Sequence, residues 1–67
     1  MINIRLLQPL DVGRGVVYRP QHDHGNAEDG VITSWSDRFI FVRYRGSETS
    51  RATHPLDLTW LDDVVAP

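Results

Sequence analysis

Residues 19–30 read RPQHDHGNAEDG, and His22 and His24 flank Asp23 with Glu28 and Asp29 close behind. In an extended segment residues i and i+2 point the same way, so both imidazoles could reach one ion. His54, with Glu28 or Asp29, would complete a tetrahedral set of ligands. The competing reading is a solvated polar loop. Two His at this spacing are common in such loops, nothing fixes a third ligand, and Gly25-Asn26 favours a turn. The expectation is a loop without metal, His22 and His24 being the weak candidates, and no cofactor.

The other titratable pairs point away from catalysis. Glu28-Asp29 and Asp62-Asp63 are adjacent in sequence. Two carboxylates doing acid–base work must converge on one substrate, whereas neighbours in an extended chain face opposite ways. No G-x-S-x-G turn, P-loop or dinucleotide fingerprint is present. The absence of Cys removes disulfides, zinc ribbons, iron–sulfur clusters and thiol nucleophiles together. A chain of 67 residues hides only about 60 % of its unfolded surface, which leaves little room for a deep pocket. A non-enzymatic protein is expected.

The arginines are more informative. The net charge is −2, and all 7 basic residues are Arg. Arg38, Arg43, Arg45 and Arg51 fall within residues 38–55, against Glu48 alone, while residues 57–67 carry Asp57, Asp62 and Asp63 and no base. The run RFIFVRYR, residues 38–45, alternates Ile40, Val42 and Tyr44 with Phe39, Phe41 and Arg43. The first set suits a core and leaves the second on the other face. Arg45 joins that face, and Arg51 on the following strand is placed across from it. Phe39, Phe41, Arg43, Arg45 and Arg51 therefore form the candidate binding face. Arg and aromatics favour protein interfaces. The same combination holds single-stranded nucleic acid, guanidinium to phosphate and ring to base. The bland reading is salt bridging to Glu48, Asp57, Asp62 and Asp63, with the Phe rings packed under the N-terminal segment.

The elements that would carry this face are strands. Short β-rich runs broken by Gly, Pro, Asp and Ser replace any helical period. Strands are expected at Gly15 to Arg19, Gly30 to Trp35, Arg38 to Arg45, Thr49 to His54 and Thr59 to Leu61. Val31, Thr33 and Trp35 would share one face of the second, and Ile32 and Ser34 the other. Ser36-Asp37 is a hairpin link. Leu56 to Leu58 reads as a single helical turn near the C-terminus. Residues 1–67 form a single domain, with 1–10 an edge strand or an arm and 20–29 a polar loop. About five short strands in so few residues suit a small bent barrel, which hides sheet edges. The expected core is Val17, Val31, Ile40, Val42, Tyr44, Leu58 and Leu61, with one or both Trp partly buried. No stretch approaches the ~20 apolar residues of a membrane span, and no signal peptide is visible, so the cytoplasm is the expected location.

The run EDGVITSWSDRFIFVRYRGSETSRATHPLDL, residues 28–58, resembles small SH3-like barrel proteins of tailed phages and prophages. The likeness covers residues 12–61: a basic-aromatic strand ending in Pro, a His-Gly loop, an E-x-G-V turn and strand, a hairpin, then T-x-P-x-D-L. It implies an all-β, small SH3-like (Tudor-like) barrel of phage or prophage context and, since that family looks like proteins without an assigned activity, no function. The expected partner, read from the Arg/aromatic face, is a host or phage protein, with nucleic acid the alternative. A monomer or an edge-strand dimer fits. VRYRGSE, residues 42–48, is similar to the centre of Tudor barrels, and Trp35, Phe39, Phe41 and Tyr44 would supply a methyl-cation cage. Arg43 stands where those domains place an acid, and a guanidinium there repels a methylated cation.

Overall fold

The computed structural model describes residues 1–20 and 27–64. Five antiparallel strands form one sheet: β1 (Gly15–Tyr18), β2 (Glu28–Trp35), β3 (Ile40–Tyr44), β4 (Ser50–Thr53) and β5 (Leu58–Trp60). Three 3-10 turns, Ile4–Leu6, Pro9–Asp11 and Pro55–Asp57, and a short helix α1 (Leu61–Val64) complete the described chain. The spatial order is β4-β3-β2-β1-β5. A four-strand meander thus runs from β1 to β4, and the Pro55–Asp57 turn brings β5 back beside β1. This is the strand order of an SH3-like barrel, all-β as its sequence pattern requires. β4 and β5 are the two ends of the sheet.

The core lies inside the curl. Ile2, Val16, Ile32, Ile40, Val42, Tyr44 and Leu58 form its buried cluster, with Ile4, Leu7, Tyr18, Trp35 and Trp60 packed against it. The clean alternation Ile40, Val42, Tyr44 puts three of these on one face of β3. Val17 is also buried, but lies outside that cluster. Residues 1–11 hold two 3-10 turns and no strand, and Ile2 N–H donates to the Pro55 carbonyl at 3.2 Å. Ile2 thereby plugs one end of the barrel at 3 % exposure.

Three expectations need correction. β2 does not alternate simply: Ile32 pairs with Val42, but Ser34 pairs with Phe41 and Trp35 with Ile40. Thr33 is the extra residue of a β-bulge, so Ile32 and Trp35 both turn inward although three positions apart. Val31 is consequently only partly buried and Ile32 replaces it in the core. Leu61 is 39 % exposed and begins α1 instead of ending a strand. The helical turn comes one residue early, at Pro55–Asp57, because Pro suits a first helical position and His54 caps it. Its Nδ1 accepts from Leu56 N–H at 3.1 Å.

At Gly30 strands β2 and β3 approach closely. A Cβ there would lie 2.6 Å from the Arg43 carbonyl oxygen, 2.8 Å from Val42 Cγ1 and 3.0 Å from Tyr44 Cα. Only glycine lets β2 cross β3 so closely.

Candidate binding face

Facing residues on neighbouring strands put their side chains on the same side of a sheet. The register therefore sorts the candidate residues. Val31, Arg43 and Ser50 form one outward row; Ser34, Phe41 and Ala52 form the next. Phe41 is partly exposed and Arg43 exposed, and Phe41 is flanked by the small side chains of Ser34 and Ala52. Phe39, 40 % exposed, sits in the β2–β3 hairpin, whose Ser36 N–H donates to the Phe39 carbonyl at 2.8 Å. Thr33, freed by the bulge, donates through Oγ1 to the Phe41 carbonyl at 3.1 Å. The same oxygen lies 2.7 Å from Ser50 Oγ and ties β2 to β4 across β3. The bulge thus stiffens the sheet beneath Phe41 and Arg43.

Arg45 and Arg51 are positioned differently. Arg45 Nη2 lies 2.9 Å from Asp29 Oδ2, and its backbone N–H donates to the Asp29 carbonyl at 3.1 Å. The Arg45 side chain remains 83 % exposed, so this is a surface pair of little energetic weight. Arg51 faces Val42 and hence lies on the side of the sheet opposite Phe41 and Arg43. Its guanidinium sits 5.7 Å from the Tyr44 ring centroid, within cation–π reach. The structure brings Phe41 and Arg43 together, with Phe39 next in the chain, and puts Arg51 at the rim of a separate cleft.

Neither a protein-family model, a curated protein nor a solved structure matches the chain.

The cleft, about 110 Å³, is lined by Tyr18, Glu28, Tyr44, Arg51, Ala52, Thr53, His54 and Asp57. The two tyrosine rings meet edge to face with centroids 5.9 Å apart. Tyr44 Oη is 2.7 Å from Thr53 Oγ1, and burial pushes the Tyr44 hydroxyl above its ordinary pKa of 10.0. No sequence motif announces this cleft, whose two tyrosines come from β1 and β3. A second feature, Arg14 over the Trp60 ring at 3.9 Å, was equally unannounced. Arg14 also reaches Asp11 at 3.2 Å and Asp62 at 3.8 Å.

His22 and His24 lie outside the described residues. His54 spends Nδ1 on capping the Pro55–Asp57 turn. Among the described residues no group of three or more His, Cys, Asp or Glu is placed to hold a metal ion, and no helix is long and apolar enough to cross a membrane.

Proposed function

We propose that this chain is a non-enzymatic binding module that engages another protein through the outward face of β2–β3–β4. One observation carries the reading: β3 presents the partly exposed Phe41 beside the exposed Arg43, with the small residues Ser34 and Ala52 as its cross-strand neighbours. A planar guanidinium next to a partly exposed ring between small residues has the make-up of an interface centre. Phe39 extends the apolar contact at the hairpin. The overall charge of −2 favours a protein over a polyanion. The resemblance to phage and prophage barrels supports a host or phage protein as the partner.

The test compares the intact chain with a Phe41→Ser, Arg43→Glu double variant as bait for proteins of the native host. Both residues reach solvent, so the variant should fold, which circular dichroism checks. A discrete protein retained by the wild type and lost by the variant supports the reading. Equal retention by both overturns it. A mixed-sequence single-stranded oligonucleotide, titrated at low salt and followed by amide NMR, tests the alternative. Shifts confined to residues 39–51 that vanish with salt would replace the protein partner with nucleic acid.

A further inference from the structure

β4 ends the sheet, and its backbone supplies a second half to the face. In an antiparallel ladder each residue points its N–H and C=O to one neighbour or the other, alternately. Arg45 N–H donates to the Asp29 carbonyl, and Ser36 N–H to that of Phe39. Odd-numbered residues of β3 therefore bond to β2, and Ile40, Val42 and Tyr44 bond to β4. Val42 faces Arg51 and Ile40 faces Thr53, so Arg51 and Thr53 turn their backbones inward to β3. Ser50 and Ala52 must then point N–H and C=O outward at the free edge. Among the described residues no hydrogen bond reaches the backbone of either. Both are exposed, both are small, and β4 carries neither Pro nor a bulge that would block pairing.

We infer that β4 accepts an extended acidic segment of the partner as a sixth, antiparallel strand. This rests on the protein-binding reading above and names the chemistry of the ligand. Charge selects the occupant. Arg51 and Arg43 are both exposed, and among the described residues neither has a carboxylate within ion-pair distance. A second copy of β4 fits poorly. The register that uses Ser50 and Ala52 of both copies sets Arg51 directly against Arg51, a like-charge pair at the closest side-chain spacing.

Register then gives a three-residue pattern. The partner residue opposite Ala52 points outward toward Phe41 and is apolar. The next, opposite Arg51, points to the cleft side and is acidic. The third, opposite Ser50, points outward toward Arg43 and is acidic with a long side chain. Backbone pairing supplies affinity and these alternate side chains supply selectivity.

The experiment titrates the full 67-residue chain with the end-blocked pentapeptide TVDET and, as control, TVKKT. Amide NMR should show the Ser50 and Ala52 N–H groups shifting and exchanging more slowly with TVDET, while that of Arg51, already bonded to β3, changes less. Ala52→Pro removes one outward N–H without touching the ladder to β3, so the fold should survive and binding weaken by about tenfold. Arg51→Glu should reverse the preference between the two peptides. If TVDET shifts neither Ser50 nor Ala52, or TVKKT binds equally well, strand addition by an acidic segment is overturned. If Ala52→Pro binds TVDET unchanged while Arg43→Glu does not, strand addition falls and the face reading stands. If neither variant alters binding, both fall. If the free wild type self-associates and Ala52→Pro is monomeric, a second copy fills the edge and the acidic partner is wrong.

Discussion

Gly30→Ala sets two opposing effects against each other, and the geometry decides the sign. Replacing Gly by Ala where space permits stabilises by about 0.4–1 kcal/mol, because the unfolded chain has less freedom to lose. Gly30 has no such space. The new methyl carbon would meet the Arg43 carbonyl oxygen at 2.6 Å and Tyr44 Cα at 3.0 Å, where 3.4–4 Å is ordinary contact. Both are backbone atoms in the ladder, so β2 and β3 must part by several tenths of an ångström. Overpacking of this kind costs about 1–3 kcal/mol. The net loss is about 1–2 kcal/mol, which in a domain this small lowers Tm by about 4–16 °C. Gly15→Ala is the internal control. Its methyl meets Leu61 Cδ2 at 3.0 Å, the far end of a 39 % exposed side chain that can rotate away, and Leu61 Cβ at 3.3 Å, which needs α1 to give by only a few tenths of an ångström. That variant should stay within about 0.5 kcal/mol of wild type. Urea denaturation followed by circular dichroism measures both, with an unchanged m-value securing the comparison. A Gly30→Ala protein as stable as wild type, or more so, would refute the close crossing of β2 and β3.

The remaining predictions test the bulge, the cap and the buried tyrosine. Ile32→Ala should cost about 2–5 kcal/mol and Val31→Ala under about 1 kcal/mol, because the bulge puts only Ile32 in the core; chemical denaturation giving the opposite order would disprove that register. His54→Ala should lose about 0.5–2 kcal/mol with the cap on Leu56 N–H, and His54→Asn should recover most of it; equal melting temperatures for the two variants would show that capping is not the cause. Burial raises the Tyr44 pKa above 10.0, so the folded state holds its phenol proton more tightly than the unfolded chain. This contribution is intact below pH 10 and fades as pH rises through the folded value. Stability measured from pH 8 to 11 should decline, and Tyr44→Phe should show a shallower decline from a lower start, having lost the partner of Thr53; parallel curves would count against a buried phenol.

Much of the architecture is legible in the chain because its signals are local. Ile40, Val42 and Tyr44 alternate without interruption, and Pro55 with His54 marks a turn that two residues suffice to define. The errors fall where structure depends on partners distant in sequence. GVITSW shows regular alternation, yet the bulge at Thr33 exists because Thr33 Oγ1 finds the Phe41 carbonyl and Ser50 on strands read separately. The sequence places Arg51 with Arg43 because nothing in the turn Arg45 to Thr49 fixes the hairpin register. Pairing Val42 with Arg51 moves that guanidinium to the other face. The cleft of Tyr18 and Tyr44 is illegible for the same reason, since its lining comes from β1, β2, β3, β4 and the Pro55–Asp57 turn, segments far apart in sequence.

Charge in this molecule is distributed by position more than by amount. Asp11 and Asp62 gather on Arg14, whose guanidinium also covers Trp60, and Asp29 holds Arg45. The Arg14 pairs lie beside β1, and the Asp29–Arg45 pair lies one step beyond the Val31–Arg43–Ser50 row, toward the turn between β3 and β4, and leaves Arg43 without a carboxylate at ion-pair distance among the described residues. Arg43 and Arg51 stand on opposite faces of the last two strands of the meander, one strand from or on the open edge. Exposed guanidinia of this kind gain little affinity from a carboxylate, because water already solvates both. They act on encounter and register: they attract an acidic segment, orient it, and disfavour a basic one. Affinity has to come from the outward N–H and C=O groups of Ser50 and Ala52 and from covering Phe41. A partner lacking carboxylates but able to pair with β4 should therefore associate more slowly while dissociating at a similar rate, whereas one that cannot form the ladder should dissociate quickly whatever its charge.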